Sequence, residues 1–142
     1  MKAFVAFLVL AIAALQCEAK VYNKCEFAKT LLQAGFPKDQ IGTWSCIAEH
    51  ESHYNTKAIN HSSGDYGILQ ISKLYWCNEG NTPGKGCGIT CNSLLGDDIF
   101  GDLTCVKKVF EETKKFKANG FEAWTTYGSC RGDQSRYVAG CF

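Results

Sequence analysis

Apolar residues first recur at helical spacing just past residue 20. Ala28, Leu31, Leu32 and Gly35 stand at i, i+3, i+4 and i+7, and Asn23 followed by Glu26 resembles a capping box. The pattern predicts a helix over residues 24–34 that stops at Gly35. A second helix is expected to start near Pro37-Lys38-Asp39 and to carry Ile41, Trp44, Ile47 and Ala48 on one stripe. From Ser62 the periodicity changes. Ser62-Ser63-Gly64 reads as a turn, and Asp65-Tyr66-Gly67-Ile68-Leu69-Gln70-Ile71 as one β-favouring run. Residues 78–88 are rich in Gly, Asn and Pro and read as loop. Asp102 is expected to cap a third helix with Leu103, Val106, Val109, Phe110 and Phe116 on its apolar side. Glu111-Glu112 and Lys114-Lys115-Lys117 are spaced for i,i+3 and i,i+4 ion pairs on a solvated face. Helices at both ends around a short β and loop segment describe an α+β domain, in two lobes with a cleft between them.

One part of the chain falls outside this scheme. Met1-Lys2 gives a positive start, residues 3–15 are thirteen uninterrupted apolar residues, and Gln16-Cys17-Glu18-Ala19 follows. Such a run reads as a secretory signal peptide cleaved after Ala19. A membrane anchor would need about twenty apolar residues, and a lipid attached at Cys17 would normally require a smaller neighbour than Gln16. The expected layout is a leader over 1–19 and one domain over 20–142, giving a secreted, extracellular protein that has no membrane association once the leader is gone.

Composition sharpens that reading. The chain has 142 residues, nine cysteines and a formal charge of +1. Cleavage after Ala19 removes Cys17 and leaves eight: Cys25, Cys46, Cys77, Cys87, Cys91, Cys105, Cys130 and Cys141. An even number in an oxidising compartment reads as four disulfides, with roughly a hundred connectivities open on number alone. No C-x-x-C and no nearby His pair at zinc-ligand spacing is present, so no metal is expected. Lys2 and Glu18 leave together and the charge stays at +1, which gives no signal for nucleic acid or an acidic membrane.

Candidate chemistry sits on the second helix. At about 100° per residue from Ile41, Trp44 falls near 300°, Ile47 near 240°, Ala48 near 340° and Glu51 near 280°, with Glu49 away near 80°. Glu51 therefore lies within the apolar stripe, where desolvation raises a carboxyl pKa. A fraying helix end, or a basic partner, would also accommodate it. Asp65 opens the β segment fourteen residues later among Ser63, Gly64, Gly67 and Gln70, neighbours that leave a carboxylate solvated. A protonated acid in an apolar setting and an ionised one in a polar setting suit glycosidic bond cleavage.

The stretches Cys46-Ile47-Ala48-Glu49-His50-Glu51-Ser52-His53-Tyr54-Asn55-Thr56, Asp65-Tyr66-Gly67-Ile68-Leu69-Gln70-Ile71 and Tyr75-Trp76-Cys77-Asn78 resemble the chicken-type (C-type) lysozymes. Ala123-Trp124 and the order of the eight cysteines agree, and the similarity runs from Lys20 to Cys141. Phe36-Pro37-Lys38-Asp39-Gln40 resembles insect members in particular. The resemblance implies a lysozyme-like fold with a helical lobe, a small antiparallel β lobe and the pairs Cys25–Cys141, Cys46–Cys130, Cys77–Cys91 and Cys87–Cys105. It implies Glu51 as catalytic acid and Asp65 as nucleophile or charge stabiliser. Trp124 would keep the acid protonated, to a pKa of about 6 in the family's type case. Gln70 and Ala123 would line the cleft, and Tyr75 and Trp76 would stack on sugar rings. The implied activity is a cofactor-free, bacteriolytic and retaining muramidase. It would act as a monomer on the β-1,4 linkage between N-acetylmuramic acid and N-acetylglucosamine in bacterial peptidoglycan. The alternative is a non-catalytic carbohydrate-binding or regulatory protein on the lysozyme/α-lactalbumin scaffold.

Several positions depart from the family pattern. The Glu51–Asp65 interval is short, so a tighter β turn is expected. Ser72 stands where an asparagine often supports the aspartate, which implies fewer or different hydrogen bonds to Asp65. The Cys105–Cys130 interval is long, with residues 111–119 carrying the excess, and implies a longer helix or loop near the cleft rim. Some members bind calcium in the loop after Cys91. Gly96 and Gly101 stand here where carboxylates are expected, so no tight site is implied, and Asp97 and Asp98 are expected near the next helix start. Asn60-His61-Ser62 is a glycosylation sequon in a loop near the site.

Overall fold

The computed structural model describes residues 19–142. Residues 1–18, with Cys17 and all but the last residue of the leader expected over 1–19, lie outside the described residues. Among the described residues, three α-helices, five two-residue strands and several 3-10 turns follow in the expected α+β order. Among the described residues no helix is long and apolar enough to cross a membrane.

Helix α1 spans Lys24–Gln33, and Asn23 accepts from the Glu26 backbone N–H at 2.8 Å. Only that arm of the expected capping box forms, because the Glu26 carboxylate takes Lys20 at 2.8 Å instead. Gly35, at φ +84°, ends the helix in the left-handed region that favours glycine. Phe27, Ala28 and Leu31 are buried, while Leu32 is 40% exposed and off the core stripe. The 3-10 turn Lys38–Gln40 leads into α2, Ile41–Ser52. Ile41, Trp44, Ile47 and Ala48 are all buried, as their spacing predicts.

The expected run over 65–71 is not one strand. It splits into β2 (Asp65–Tyr66) and β3 (Ile71–Ser72), joined by a tight turn over residues 67–70. Gly67 at φ +85° and Gln70 at φ +51° reverse the chain there. Preceded by β1 (Ile59–Asn60), these strands form an antiparallel sheet in the order β1-β2-β3. The β1–β2 connection is only residues 61–64, closed by a 2.7 Å bond from the Gly64 N–H to the Asn60 carbonyl. That is the tighter turn expected from the short interval. The Asn60 side-chain oxygen accepts from the Ser62 N–H and hydroxyl within the same turn. A second, parallel pair joins β4 (Cys77–Asn78) and β5 (Ile89–Thr90), an addition to the antiparallel lobe expected from the sequence.

Helix α3 spans Phe100–Thr113 and starts two residues before the expected cap. Asp102 caps nothing: it lies inside the first turn and is 1% exposed. Asp98 serves the helix start, accepting from the Phe100 N–H at 2.9 Å. Phe116 falls beyond the helix and is 73% exposed, so it does not extend the stripe. Lys114 and Lys115 pair with Glu111 and Glu112 at i,i+3 on an exposed face.

The four disulfides are Cys25–Cys141, Cys46–Cys130, Cys77–Cys91 and Cys87–Cys105. The first two close spans of 116 and 84 residues and stabilise by roughly 2–4 kcal/mol each by restricting the unfolded chain. Trp44 centres an aromatic cluster with Phe36, Phe110, Phe121 and Trp124, at centroid distances of 4.7–5.7 Å. That cluster makes the floor on which the cleft is built.

Candidate active site

Between the lobes lies a cleft of about 200 Å³ lined by Glu51, Asp65, Gln70, Tyr75, Trp76 and Trp124, together with Ile71, Ser72, Val109, Ala123 and Thr125. All seven residues singled out from the sequence therefore meet at one place. Larger hollows lie elsewhere on the surface, at the carboxy-terminal segment and beside Phe36, but neither holds a pair of carboxylates.

Glu51 reaches the cleft from the last turn of α2, and Asp65 from the first position of β2. The next residue after Glu51 already belongs to the floor. Ser52 is buried, and its hydroxyl donates to the Ile68 carbonyl at 2.6 Å. Trp124, 5% exposed, donates its indole N–H to the neighbouring Leu69 carbonyl at 2.8 Å. The Gln70 amide donates to Ala58 O at 3.0 Å and Gly67 O at 2.9 Å. The β2–β3 turn is thus stitched to the helical lobe, which fixes Asp65 relative to Glu51.

The two carboxyl environments differ. Burial in the apolar wall pushes the Glu51 pKa up, and the Asp65 charge pushes the same way; Thr126, donating at 2.9 Å, and His50 pull it down. Asp65 is half-buried and accepts from the Ser63 hydroxyl at 2.7 Å. Ser72 sits opposite it in the β2–β3 register, yet the Ser72 oxygen accepts from the Leu74 N–H instead. Asp65 is therefore held differently, as Ser72 at that position implies. Glu49 points away from the cleft and accepts from the Tyr137 hydroxyl at 2.9 Å.

On the far wall Tyr75 is 68% exposed and Trp76 half-buried. A Cβ at Gly86 would meet the Trp76 ring at 2.5 Å, so this glycine lets the backbone lie against the indole and set its face. Such an exposed aromatic wall suits stacking on a sugar ring. The extra residues 111–119 contribute nothing to the cleft lining.

Sequence reasoning missed Thr126. It stands two residues after Trp124, and only the fold brings its hydroxyl to Glu51. Cys46, His50 and Cys130 cluster within 4.8 Å, but both sulfurs are consumed in a disulfide. The loop after Cys91 does not fit calcium. Leu95 O accepts from Lys57, Asp97 O from Tyr22 and Asp98 Oδ1 from the Phe100 N–H, and Gly96 and Gly101 offer no carboxylate.

Comparison with known proteins follows the same lines. Lysozyme C-2 of Mus musculus is 41% identical over 141 residues, covering 93% of each chain. Lysozyme C-2 of Sus scrofa is 42% identical over 141 residues, covering 94% of each. The crystal structure of a lysozyme from Litopenaeus vannamei superposes with a TM-score of 0.76 at 41% identity, covering 87% of this chain and 98% of that one. Residues 20–141 match the model of the C-type lysozyme/alpha-lactalbumin family. With the fold, the cysteine pairing and that match in agreement, the chain belongs to the C-type lysozyme/alpha-lactalbumin family.

Proposed function

We propose that this chain is a secreted, bacteriolytic muramidase acting on peptidoglycan between N-acetylmuramic acid and N-acetylglucosamine, with retention at the anomeric carbon. Its class as a glycoside hydrolase follows from the family and from relatives named lysozymes. One observation carries the finer reading. Glu51 and Asp65 line the same cleft, and burial favours the proton on Glu51.

In this mechanism Glu51 protonates the glycosidic oxygen as the bond breaks. Asp65 bonds to, or electrostatically stabilises, the positive anomeric carbon. Glu51, now ionised, takes a proton from the attacking water, which restores both groups. Tyr75 and Trp76 stack on the sugars, Gln70 and Ala123 line the groove, and Trp124 keeps water from the acid. No cofactor takes part. A monomer suffices, since both carboxylates come from one chain, and the signal-like residues 1–19 support secretion.

Clearing of a bacterial cell-wall suspension by the mature protein is the direct test. Glu51→Gln is expected to stop it, and equal clearing by the variant would remove Glu51 from its role. Retention is read from the anomer released first, by NMR. The non-catalytic alternative predicts saccharide binding without clearing. A charge of only +1 gives weak attraction to anionic walls, so lysis is expected to be best at low salt and mildly acidic pH, in keeping with digestion. A pH–rate profile at two salt concentrations checks this.

A further inference from the structure

The turn over residues 67–70 carries Asp65 on one flank and ends in Gln70, and the helical lobe grips it at three points. Two are the hydrogen bonds from Ser52 to Ile68 O and from Trp124 to Leu69 O. The third is a carboxyl group that the hydrolytic chemistry leaves unused. Asp102, in the first turn of α3, is 1% exposed, and among the described residues neither of its oxygens has a hydrogen-bond partner. It abuts Gly67: a Cβ there would lie 2.7 Å from Asp102 Oδ2 and 2.5 Å from Leu94 O. Gly67 thus answers two demands, a φ of +85° and space for this carboxyl.

We propose that Asp102 is a positioning residue for the cleft: as a neutral acid it packs against Gly67 and holds the β2–β3 turn in register, and its ionisation releases that turn. The effect on substrate rests on the muramidase reading; the effect on the turn does not.

The surroundings disfavour a charge. Burial dominates and pushes the Asp102 pKa up to about 8; its own backbone N–H, too poorly placed for a full hydrogen bond, lowers it slightly, and Asp98 raises it further. Lys57 is engaged with Leu95 O and lies 3.8 Å from Asp97. Tyr22, from the segment before α1, donates its hydroxyl to Asp97 O at 2.8 Å. Leu94 O closes on the same point of Gly67, so the space beside this glycine is bounded by two oxygens and offers an ionised carboxyl no donor. An unpaired buried carboxylate draws in water. The exit open to it is separation of Gly67 from α3, which carries Gln70 and Asp65 along.

The test is binding of the trisaccharide of N-acetylglucosamine, followed by tryptophan fluorescence across neutral and alkaline pH, for wild type and Asp102→Asn. Wild-type affinity is expected to fall by up to roughly tenfold per pH unit above about 8, and the variant's to stay flat. Amide exchange at Gly67 and Gln70, corrected for intrinsic base catalysis, is expected to accelerate above the same pH in wild type alone. Parallel falls in both proteins would overturn the proposal, as would stabilisation of wild type but not the variant by calcium chloride, which would make Asp102 an ion ligand. If the variant does not fold, the carboxyl carbon of Asp102 is titrated by NMR in wild type, and a midpoint near the ordinary value of about 4 refutes it. Absence of lysis and saccharide binding at every pH, with the exchange step at Gly67 intact, would sink the muramidase reading and leave the turn device standing.

Discussion

Glu51 and Asp102 are both carboxyl groups taken partly or wholly out of water, one beside Ser52, which bonds to the 67–70 turn, the other packed against Gly67 of that turn. Each has its pKa raised, in both cases chiefly by burial. What separates them is access. Glu51 keeps an opening to the cleft and a donor in Thr126, so a proton can leave it and return. Asp102 has neither an opening nor a partner. Burial makes a carboxyl group hold its proton; only contact with a substrate-sized space lets it deliver one. A raised pKa alone therefore does not mark a catalytic acid.

The largest effect expected from breaking this contrast is on turnover. Glu51→Gln removes the acid and should lower wall lysis by about two to four orders of magnitude. The same variant should be slightly more stable at neutral pH, measured by thermal unfolding. The sign follows from linkage: a pKa raised by folding gives stability below the unfolded value that is lost as pH rises through the folded one.

Asp102→Asn should show the same sign with a larger size. Relative to the variant, wild type should lose a few kcal/mol of stability between about pH 4 and about pH 8 and none beyond, because Asp102 is then ionised in both states. Denaturant midpoints at a series of pH values check it. Gly67→Ala attacks the contact between the two regions. With its Cβ forced against Leu94 O and Asp102 at a positive φ, it should cost about 1–3 kcal/mol. It should also weaken saccharide binding, by calorimetry, more than a destabilising change remote from the turn does.

Trp124→Phe keeps an apolar wall beside Glu51 but drops the bond to Leu69 O. It should cost about 1–3 kcal/mol by leaving that carbonyl unpaired, with a smaller loss of lysis. The smallest effect is expected from Thr126→Val. Its hydroxyl favours the ionised form of Glu51, so removing it should move the alkaline limb of the lysis profile upward by less than about one pH unit.

Much of this arrangement is legible in the order of residues. The stripe Ile41, Trp44, Ile47, Ala48 with Glu51 among them is a property of a 3.6-residue period. It puts the acid on the same face as these buried side chains, where it is half-buried. Gly35 and Asn23 mark the ends of α1 through local backbone chemistry alone. The cysteine count predicts an oxidised, stapled domain, although only resemblance gave the pairing before the fold did.

Where the reading failed, the cause is non-local. Residues 65–71 have the composition of one strand, yet Gly67 and Gln70 turn because Ser52 and Trp124 capture the carbonyls between them. Asp102 has the residue type of a helix cap, but the chain enters α3 two residues earlier, with Asp98 beside the start, and carries Asp102 into the interior. Phe116 lies one turn past the end of its helix and so meets solvent.

Periodicity and local hydrogen bonding are written in the sequence, since they depend on neighbours within a few residues. They determined the helices, the half-buried place of Glu51 on the apolar stripe and the polar place of Asp65. Partnership between Thr126 and Glu51, 75 positions apart, and between Asp102 and Gly67 was decided only in three dimensions. Nothing within a few positions of either residue encodes what packing will bring beside it.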